Sequence, residues 1–349
     1  MHLQHPSAGM NILPGEYGMS AHSEYKLAEL ERETRIGGAG ICVAREIPRI
    51  DISDYAHRKE AIADALWEAA TQVGFFQVFN HGIPEEDIDA AFATAGEFFD
   101  LSMAEKERHA RRPDSNAGWE YRAQVRPSTG TPDNKESYQI TLPDMAGLWP
   151  TATELPGFKE RMCRFERQNW ELGMKILSCF AIRLGFDADF FTHNHDPASP
   201  YYQSTLRLIH YMSMEAATDA DFDLWRAGAH SDFDCLTLLH QRPGQGGLQV
   251  CPGMEADAPA WTDVPPLRGA VTCNIGDMLM RWSDDRLRST LHRVRMPRRD
   301  EYLGPRLSLP FFCQANRDAV IQGPLKKYAP ITASDYLNER IRANYTPRA

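Results

Sequence analysis

Between Ile47 and Ser53 the chain reads IPRIDIS, an alternation of apolar and polar residues that predicts a half-buried strand. Ile62, Leu66, Ala69 and Val73 then recur at helical spacing, and Gly74 is placed to end that helix. The next run, FFQVFN, predicts a buried strand. A turn at His81-Gly82 follows, and Pro84 opens the helical segment PEEDIDAAFATAGEFFD, with acids in its first turn. Phe158, Met162, Phe165, Leu172, Ile176 and Cys179 form one apolar stripe, so a long helix ending at Gly185 with one face in the core is expected.

From about Thr205 the texture changes to short strand-favouring runs: TLRLIHYM, LTLLHQ, GLQVC, AVTCNI, DMLMRW, STLHRV and RLSLPFFC. Gly244, Gly246-Gly247, Pro252, Pro265-Pro266, Gly276 and Gly304-Pro305 punctuate them. Seven or eight such strands predict a closed or sandwiched all-β unit, of which a jelly roll is one form. The fold class is thus mainly β with flanking helices. TASDYLNERIRANY predicts a final helix capped by Thr332 or Ser334. Five segments result: an extension over 1–45 with a short polar helix at Glu24 to Thr34, a mixed α/β region over 46–154, a long helix and connection over 155–199, a jelly-roll core over 200–316, and a helical segment over 317–349.

Composition narrows the field of partners. With 349 residues, 42% of them hydrophobic and 25% charged, the chain has the make-up of an ordinary globular protein with a sizeable core. A formal net charge of −10 argues against a nucleic acid or an anionic membrane as the main partner. The seven cysteines are scattered, with no CxxC pair, and read as reduced thiols. The N-terminus has no cationic start followed by an apolar run, so a cytoplasmic location is expected. Oligomeric state is not legible.

The chemistry concentrates in two places. AHSDFDCLTLLH contains His230-Ser-Asp232, and STLHRV adds His292. An H-x-D triplet is weak alone, since a chain with 12 histidines holds about one by chance. In an extended segment, however, residues two apart leave the same face and can bind one ion. Two imidazoles and a carboxylate form the facial set of a non-haem Fe(II) oxygenase, with positions left open for other ligands. Arg306 and Ser308 in RLSLPFF lie one alternation apart and can hold a carboxylate beside that metal. Other histidines fit blander roles: His193 and His195 in a solvated polar loop, His22 near Glu24 in the extension, His81 in a turn, and His210 and His240 as buried polar groups.

At this point the chain resembles the isopenicillin N synthase-like branch of the Fe(II)/2-oxoglutarate-dependent dioxygenases. The motifs run in order: VGFFQVFNHGIP, FFDLSMAEKERH and DNKESYQI, then LRLIHYM, HSDFDCLTLL, GGLQV, CNIGDML, LHRV and RLSLPFFCQANRDAVI. The resemblance implies a distorted double-stranded β-helix, with His230, Asp232 and His292 on iron and Arg306, Ser308 and Tyr211 on the distal carboxylate of 2-oxoglutarate. Ile209, His210, Tyr211 and Met212 stand where plant members often read Asn-Tyr-Tyr-Pro, so an asparagine amide is missing there. The implied cofactors are Fe(II), 2-oxoglutarate and O2, and the implied reaction hydroxylates, desaturates or cyclises a small organic metabolite with release of succinate and CO2. Trp119, Tyr121, Arg122 and Tyr138 lie where family members build substrate contacts, and Trp225 is placed to cover the pocket mouth. Two rival readings stay open from sequence. One is a 2-oxoglutarate-independent Fe(II) oxidase, in which Arg306, Ser308 and Tyr211 hold the substrate's own carboxylate. The other is a non-catalytic metal-containing β-barrel binding protein.

Overall fold

A computed structural model describes residues 40–112, 115–124, 132–218, 225–251 and 260–345. The helix expected at Glu24 to Thr34 lies outside the described residues, as do Pro252 and most of the acidic run before Trp225. Two sheets face each other. The larger contains eight strands, β2 (Arg49–Asp51), β3 (Phe75–Phe79), β4 (Gly118–Tyr121), β5 (Lys135–Ile140), β6 (Thr205–Tyr211), β8 (Leu236–Gln241), β11 (Ala270–Ile275) and β13 (Arg306–Cys313), in the order β2-β3-β11-β8-β13-β6-β5-β4. The smaller contains β1 (Ile41–Cys42), β7 (Trp225–His230), β9 (Leu248–Val250), β10 (Ala260–Asp263) and β12 (His292–Arg295), in the order β1-β10-β9-β12-β7. Strands from both halves of the chain share the larger sheet, which makes the fold a jelly roll extended by N-terminal strands.

The helices cover the outer face of the larger sheet. These are α1 (Tyr55–Gln72), α2 (Glu85–Phe99), the short α3 (Met103–Glu107) and the long α4 (Phe158–Leu184). Alternation along each strand divides the two sides. Leu206 and Leu208 of β6 and Leu309, Phe311 and Cys313 of β13 join the helix-side core with Phe98, Phe165, Ile176 and Phe180. Ile209 and Tyr211, on the intervening positions of β6, join Phe75, Ala227, Leu248 and Val294 between the sheets. Each fully buried aliphatic or aromatic side chain contributes about 1.5–3 kcal/mol. Both faces of the larger sheet are therefore covered, and only the inner face is open to chemistry.

Most predicted elements form. Pro84 precedes α2, with Glu85, Glu86 and Asp87 in its first turn, and Gly185 ends α4 in the left-handed region at φ 86°. Gly74 turns α1 into β3 at φ 77°, where an added Cβ would collide with the Arg288 carbonyl and Thr290. The strand expected at DMLMRW is instead a helix, α6 (Asp277–Trp282), after the short α5 (Phe190–Asn194). Six residues are too few to declare their period, and here Met278, Leu279 and Trp282 bury one face of a helical turn. The last helix, α7 (Ala333–Tyr345), follows a two-stranded ribbon of β14 (Val320–Ile321) and β15 (Ile331–Thr332). Thr332 is its cap, with its Oγ1 accepting the Asp335 N–H at 3.1 Å. All seven cysteines are free thiols.

Candidate active site

A cavity of about 870 Å³ opens between the two sheets. His230 closes β7, and His292 opens β12 directly across the antiparallel ladder. Their ring centres lie 4.2 Å apart. Asp232 sits two residues past the end of β7, in a loop rather than in a strand, so strict alternation does not aim it. The loop does, because Ser231 and Phe233 also face the cavity. One ligand atom from each of His230, Asp232 and His292 lies within 4.8 Å of the others, and His292 Nε2 is 3.7 Å from Asp232 Oδ1.

Neighbouring groups aim these atoms. His230 Nδ1 lies 2.7 Å from the Gly228 carbonyl, and His292 Nδ1 lies 3.3 Å from that of Thr290. A carbonyl only accepts, so each Nδ1 carries its proton and each Nε2 keeps a lone pair for a metal. Asp232 is oriented in the same way. Its Oδ2 accepts from Thr237 Oγ1 at 2.7 Å and from Asn274 Nδ2 at 2.9 Å, which leaves Oδ1 toward His292. The neighbouring Asp234 is fully buried, and burial, with the Asp232 charge next in size, pushes its carboxyl well above the usual range. Gly276 is required beside it, since an added Cβ would collide with the Asp234 carbonyl.

One end of the cavity gathers a buried guanidinium, a serine hydroxyl and a tyrosine ring. Arg306 and Ser308 of β13 are 1% exposed, and register places Arg306 opposite Tyr211 and Ser308 opposite Ile209. The Arg306 guanidinium lies 4.8 Å from the Tyr211 ring centre and 3.4 Å, through Nη1, from Ser308 Oγ. Its Nε donates to the Gln245 carbonyl at 3.0 Å, and the Gln245 amide oxygen accepts from Leu307 N–H at 3.1 Å. Burial lowers the Arg306 pKa from its ordinary value. Ile209 lines the wall where an asparagine amide is missing.

The aromatic residues expected on the substrate side lie elsewhere. Trp119 Nε1 donates to Glu136 at 2.7 Å and Tyr138 Oη donates to the Leu148 carbonyl at 2.7 Å, both in the helix-side core. Tyr121 is 44% exposed, and Arg122 follows it at the surface; none of the four lines the cavity. The cavity-facing positions are displaced by one residue from those expected. On β4 and β5 that face belongs to Glu120, Lys135 and Gln139, whereas Tyr138 packs against Phe98 of α2 and Phe158 of α4, and Trp119 lies under Lys106 of α3. Trp225 is not on the cavity either; Arg293 stacks over its ring at 4.7 Å. Of the other histidines named from the sequence, His22 lies outside the described residues. His195 is buried instead of solvated, bonded to the Phe191 carbonyl and pushed down to about 4 by burial. His240 meets Asn169 at 2.7 Å and is pushed down to about 3 by burial, His210 meets Glu136, and His193 is at the surface. His81 accepts from Ile83 N–H, as a turn residue should. Thr237, Asn274 and Gln245 carry no signature that sequence reasoning would single out.

Comparisons with known proteins converge on one class. Residues 47–152 match the family model described as the N-terminal region of the non-haem dioxygenase in morphine synthesis, and residues 202–315 match that of the 2OG-Fe(II) oxygenase superfamily. The 2-oxoglutarate-Fe(II) type oxidoreductase hxnY of Emericella nidulans is 32% identical over 82% of this chain and 86% of its own length. A full-length Neurospora crassa protein crystallised with alpha-KG and thymine superposes with a TM-score of 0.74 at 30% identity, over 85% of this chain and 96% of that one. JOX2 in complex with 2OG, Fe and JA gives a TM-score of 0.69 at 25% identity over 90% of each chain. The chain belongs to the isopenicillin N synthase-like Fe(II)/2-oxoglutarate-dependent dioxygenases. It is a non-haem oxygenase that uses Fe(II), 2-oxoglutarate and O2 to oxidise a small organic molecule. Neither the 2-oxoglutarate-independent oxidase nor the non-catalytic barrel reading is needed. No helix among the described residues is long and apolar enough to cross a membrane.

Proposed function

We propose that His230, Asp232 and His292 hold the Fe(II), that Arg306, Ser308 and Tyr211 hold the distal carboxylate of 2-oxoglutarate, and that the rest of the cavity takes a small polar substrate. The single observation that carries the assignment is the convergence of two imidazoles and one Asp232 oxygen within 4.8 Å, each oriented by a bond to its other side. Imidazole and carboxylate donors suit Fe(II), and three of them leave room for a bidentate co-substrate and O2. When bound, iron with 2-oxoglutarate and O2 supplies an oxidative decarboxylation to succinate and CO2 that oxidises a C–H bond. The chain's own residues orient the reactants. Arg306 is a buried cation that meets a carboxylate through charge-assisted bonds, and Ser308 and Tyr211 add neutral donors. Phe75, Leu248 and Val294 keep water from the inner end.

The substrate end is different in kind. Gln139, Gln203, Gln314, Arg207 and Thr141 line it beside Phe312. Arg207 donates from both Nε and Nη2 to Gln139 Oε1 and stacks over Phe312 at 5.3 Å. That bond turns the Gln139 NH2 into the donor this amide can offer a substrate oxygen. Such a wall suits a compact molecule with hydrogen-bonding edges better than an aliphatic chain. The complexes of the Neurospora crassa protein with thymine and with 5-formyluracil support the same substrate class.

Two measurements test the proposal. Anaerobic titration of the Fe(II)-loaded protein with 2-oxoglutarate is expected to give a metal-to-ligand charge-transfer absorption, and no spectral change would remove the co-substrate assignment. Succinate release is expected to be stimulated by pyrimidine bases and comparable polar heterocycles. Stimulation only by long-chain apolar acids would remove the polar substrate.

A further inference from the structure

Helix α7 reaches two parts of the site at once. Ser334, Leu337 and Asn338 line the cavity from its side, while Arg340, one turn beyond Leu337, is fully buried behind the loop that carries the proposed iron ligands. There the Arg340 guanidinium donates to Asp277 Oδ2 and, at 3.2 Å, to Ser231 Oγ. It also stacks 4.6 Å from the centre of the Phe233 ring. Ser231 and Phe233 are the two sequence neighbours of Asp232.

Asp277 completes the bracket. It is as fully buried as Arg340, it accepts from Ser231 Oγ at 3.0 Å, and its backbone N–H donates to the Asp232 carbonyl at 2.8 Å. Asp232 is thereby gripped on its main chain by Asp277 and on its non-ligating oxygen by Thr237 and Asn274. The grip on the main chain runs through one buried ion pair to the helix that closes the cavity. Desolvating two charges makes such a pair a poor source of net stability, and its best-attested use is to fix one arrangement over its alternatives. The arrangement fixed here is the position of the 231–233 loop relative to α7.

We propose that Arg340 is a positioning residue for the oxygenase reaction: it locks the Ser231–Phe233 loop to the C-terminal helix, so that seating of the helix against the cavity and the geometry of the Asp232 ligand are coupled. This rests on the ligand assignment made above. Coupling of two sites is reciprocal, so metal binding should tighten the helix by the same factor that helix docking tightens the metal.

The test uses the full-length chain and Mn(II), a redox-inert stand-in for Fe(II), with 2-oxoglutarate present. In the unmodified protein, Mn(II) is expected to slow hydrogen exchange of amides in 333–345. In Arg340→Met the Mn(II) affinity, read by electron paramagnetic resonance of the free ion, should fall about 10-fold or more, the range seen when groups supporting a ligand are lost, and the exchange response of the helix should disappear. Arg340→Lys keeps the charge without the planar fork and should restore part of both. If Arg340→Met does not fold, Arg340→Met combined with Asp277→Asn removes the unpaired buried charge and is expected to show the same loss. A folded variant with unchanged Mn(II) affinity and an unchanged exchange response would overturn the coupling. Asp232→Ala separates the two levels: if it too binds Mn(II) normally, the ligand assignment has failed, and if it alone loses the metal, only the Arg340 proposal has.

Discussion

Thr237→Val isolates one bond at the proposed metal site. Valine keeps the β-branched shape that suits strand β8 and removes only the hydroxyl that donates to Asp232 Oδ2 at 2.7 Å. A hydrogen bond to a charged group contributes about 1.5–3 kcal/mol. Asn274 still holds the same oxygen at 2.9 Å, so the lower end of that range applies. A loss of about 1.4 kcal/mol is about a tenfold weakening, which sits at the lower edge of the roughly 10- to 100-fold effects found when such supporting groups are removed from metal sites. The hydroxyl also lies 3.1 Å from Asp234 Oδ2, a fully buried carboxyl that burial pushes well above its usual range. The assay is Mn(II) binding in the presence of 2-oxoglutarate, with circular dichroism and a thermal melt to show that the variant is folded. The affinity for 2-oxoglutarate, measured with Mn(II) saturating, should change less than threefold, because Arg306 and Ser308 are untouched. Metal affinity within twofold of the unmodified protein would refute the reasoning. Oδ2 would then not be the supported oxygen, or Asp232 not the ligand.

Arg306→Met should raise the KM for 2-oxoglutarate by about 30-fold or more, the equivalent of about 2 kcal/mol or more for a lost charge-assisted contact, while Mn(II) binding is kept; equal loss of both would point to a folding defect. Glu166 is buried and accepts from Tyr202 at 2.5 Å, and burial raises its pKa from the ordinary 4.5 to about 7. A carboxyl raised in the folded state favours folding while protonated, so its contribution is fully present below pH 4.5 and is lost as the pH rises through 7, by about 3 kcal/mol in all. Glu166→Gln keeps an acceptor for Tyr202 and should flatten the dependence of the urea midpoint on pH between 4.5 and 7; parallel curves would count against the assignment. Tyr121→Ala and Arg122→Ala, both off the cavity, should leave succinate formation and its coupling to substrate within twofold, and a larger loss in a folded variant would return these residues to the substrate site.

The substrate side shows where a sequence stops being informative. Trp119 and Tyr138 look like substrate contacts, and nothing in the sequence singles out Glu120 or Gln139 beside them. Trp119 and Tyr138 join the core and Glu120 and Gln139 face the cavity, because helices cover one face of β5 and the cavity takes the other. With neither face exposed, alternation separates the faces without saying which is which. The same ambiguity hid α6, where a short, largely apolar run fits either period.

His230, Asp232, His292, Arg306 and Ser308 could be singled out from the chain itself, because their residue types, their local spacing and the order of the motifs that hold them are all written in the sequence. Most strands, the helices α1, α2 and α4, and the jelly-roll class followed from hydrophobic period and turn residues in the same way. Tertiary structure alone brought His292 opposite His230 across the whole run of strands between them, set Thr237 and Asn274 on one oxygen of Asp232, and buried Arg340 behind the ligand loop. These contacts join residues distant in sequence whose types are individually ordinary. Periodicity is a property of neighbours along the chain, whereas an oriented ligand depends on groups that only closure of the two sheets makes adjacent.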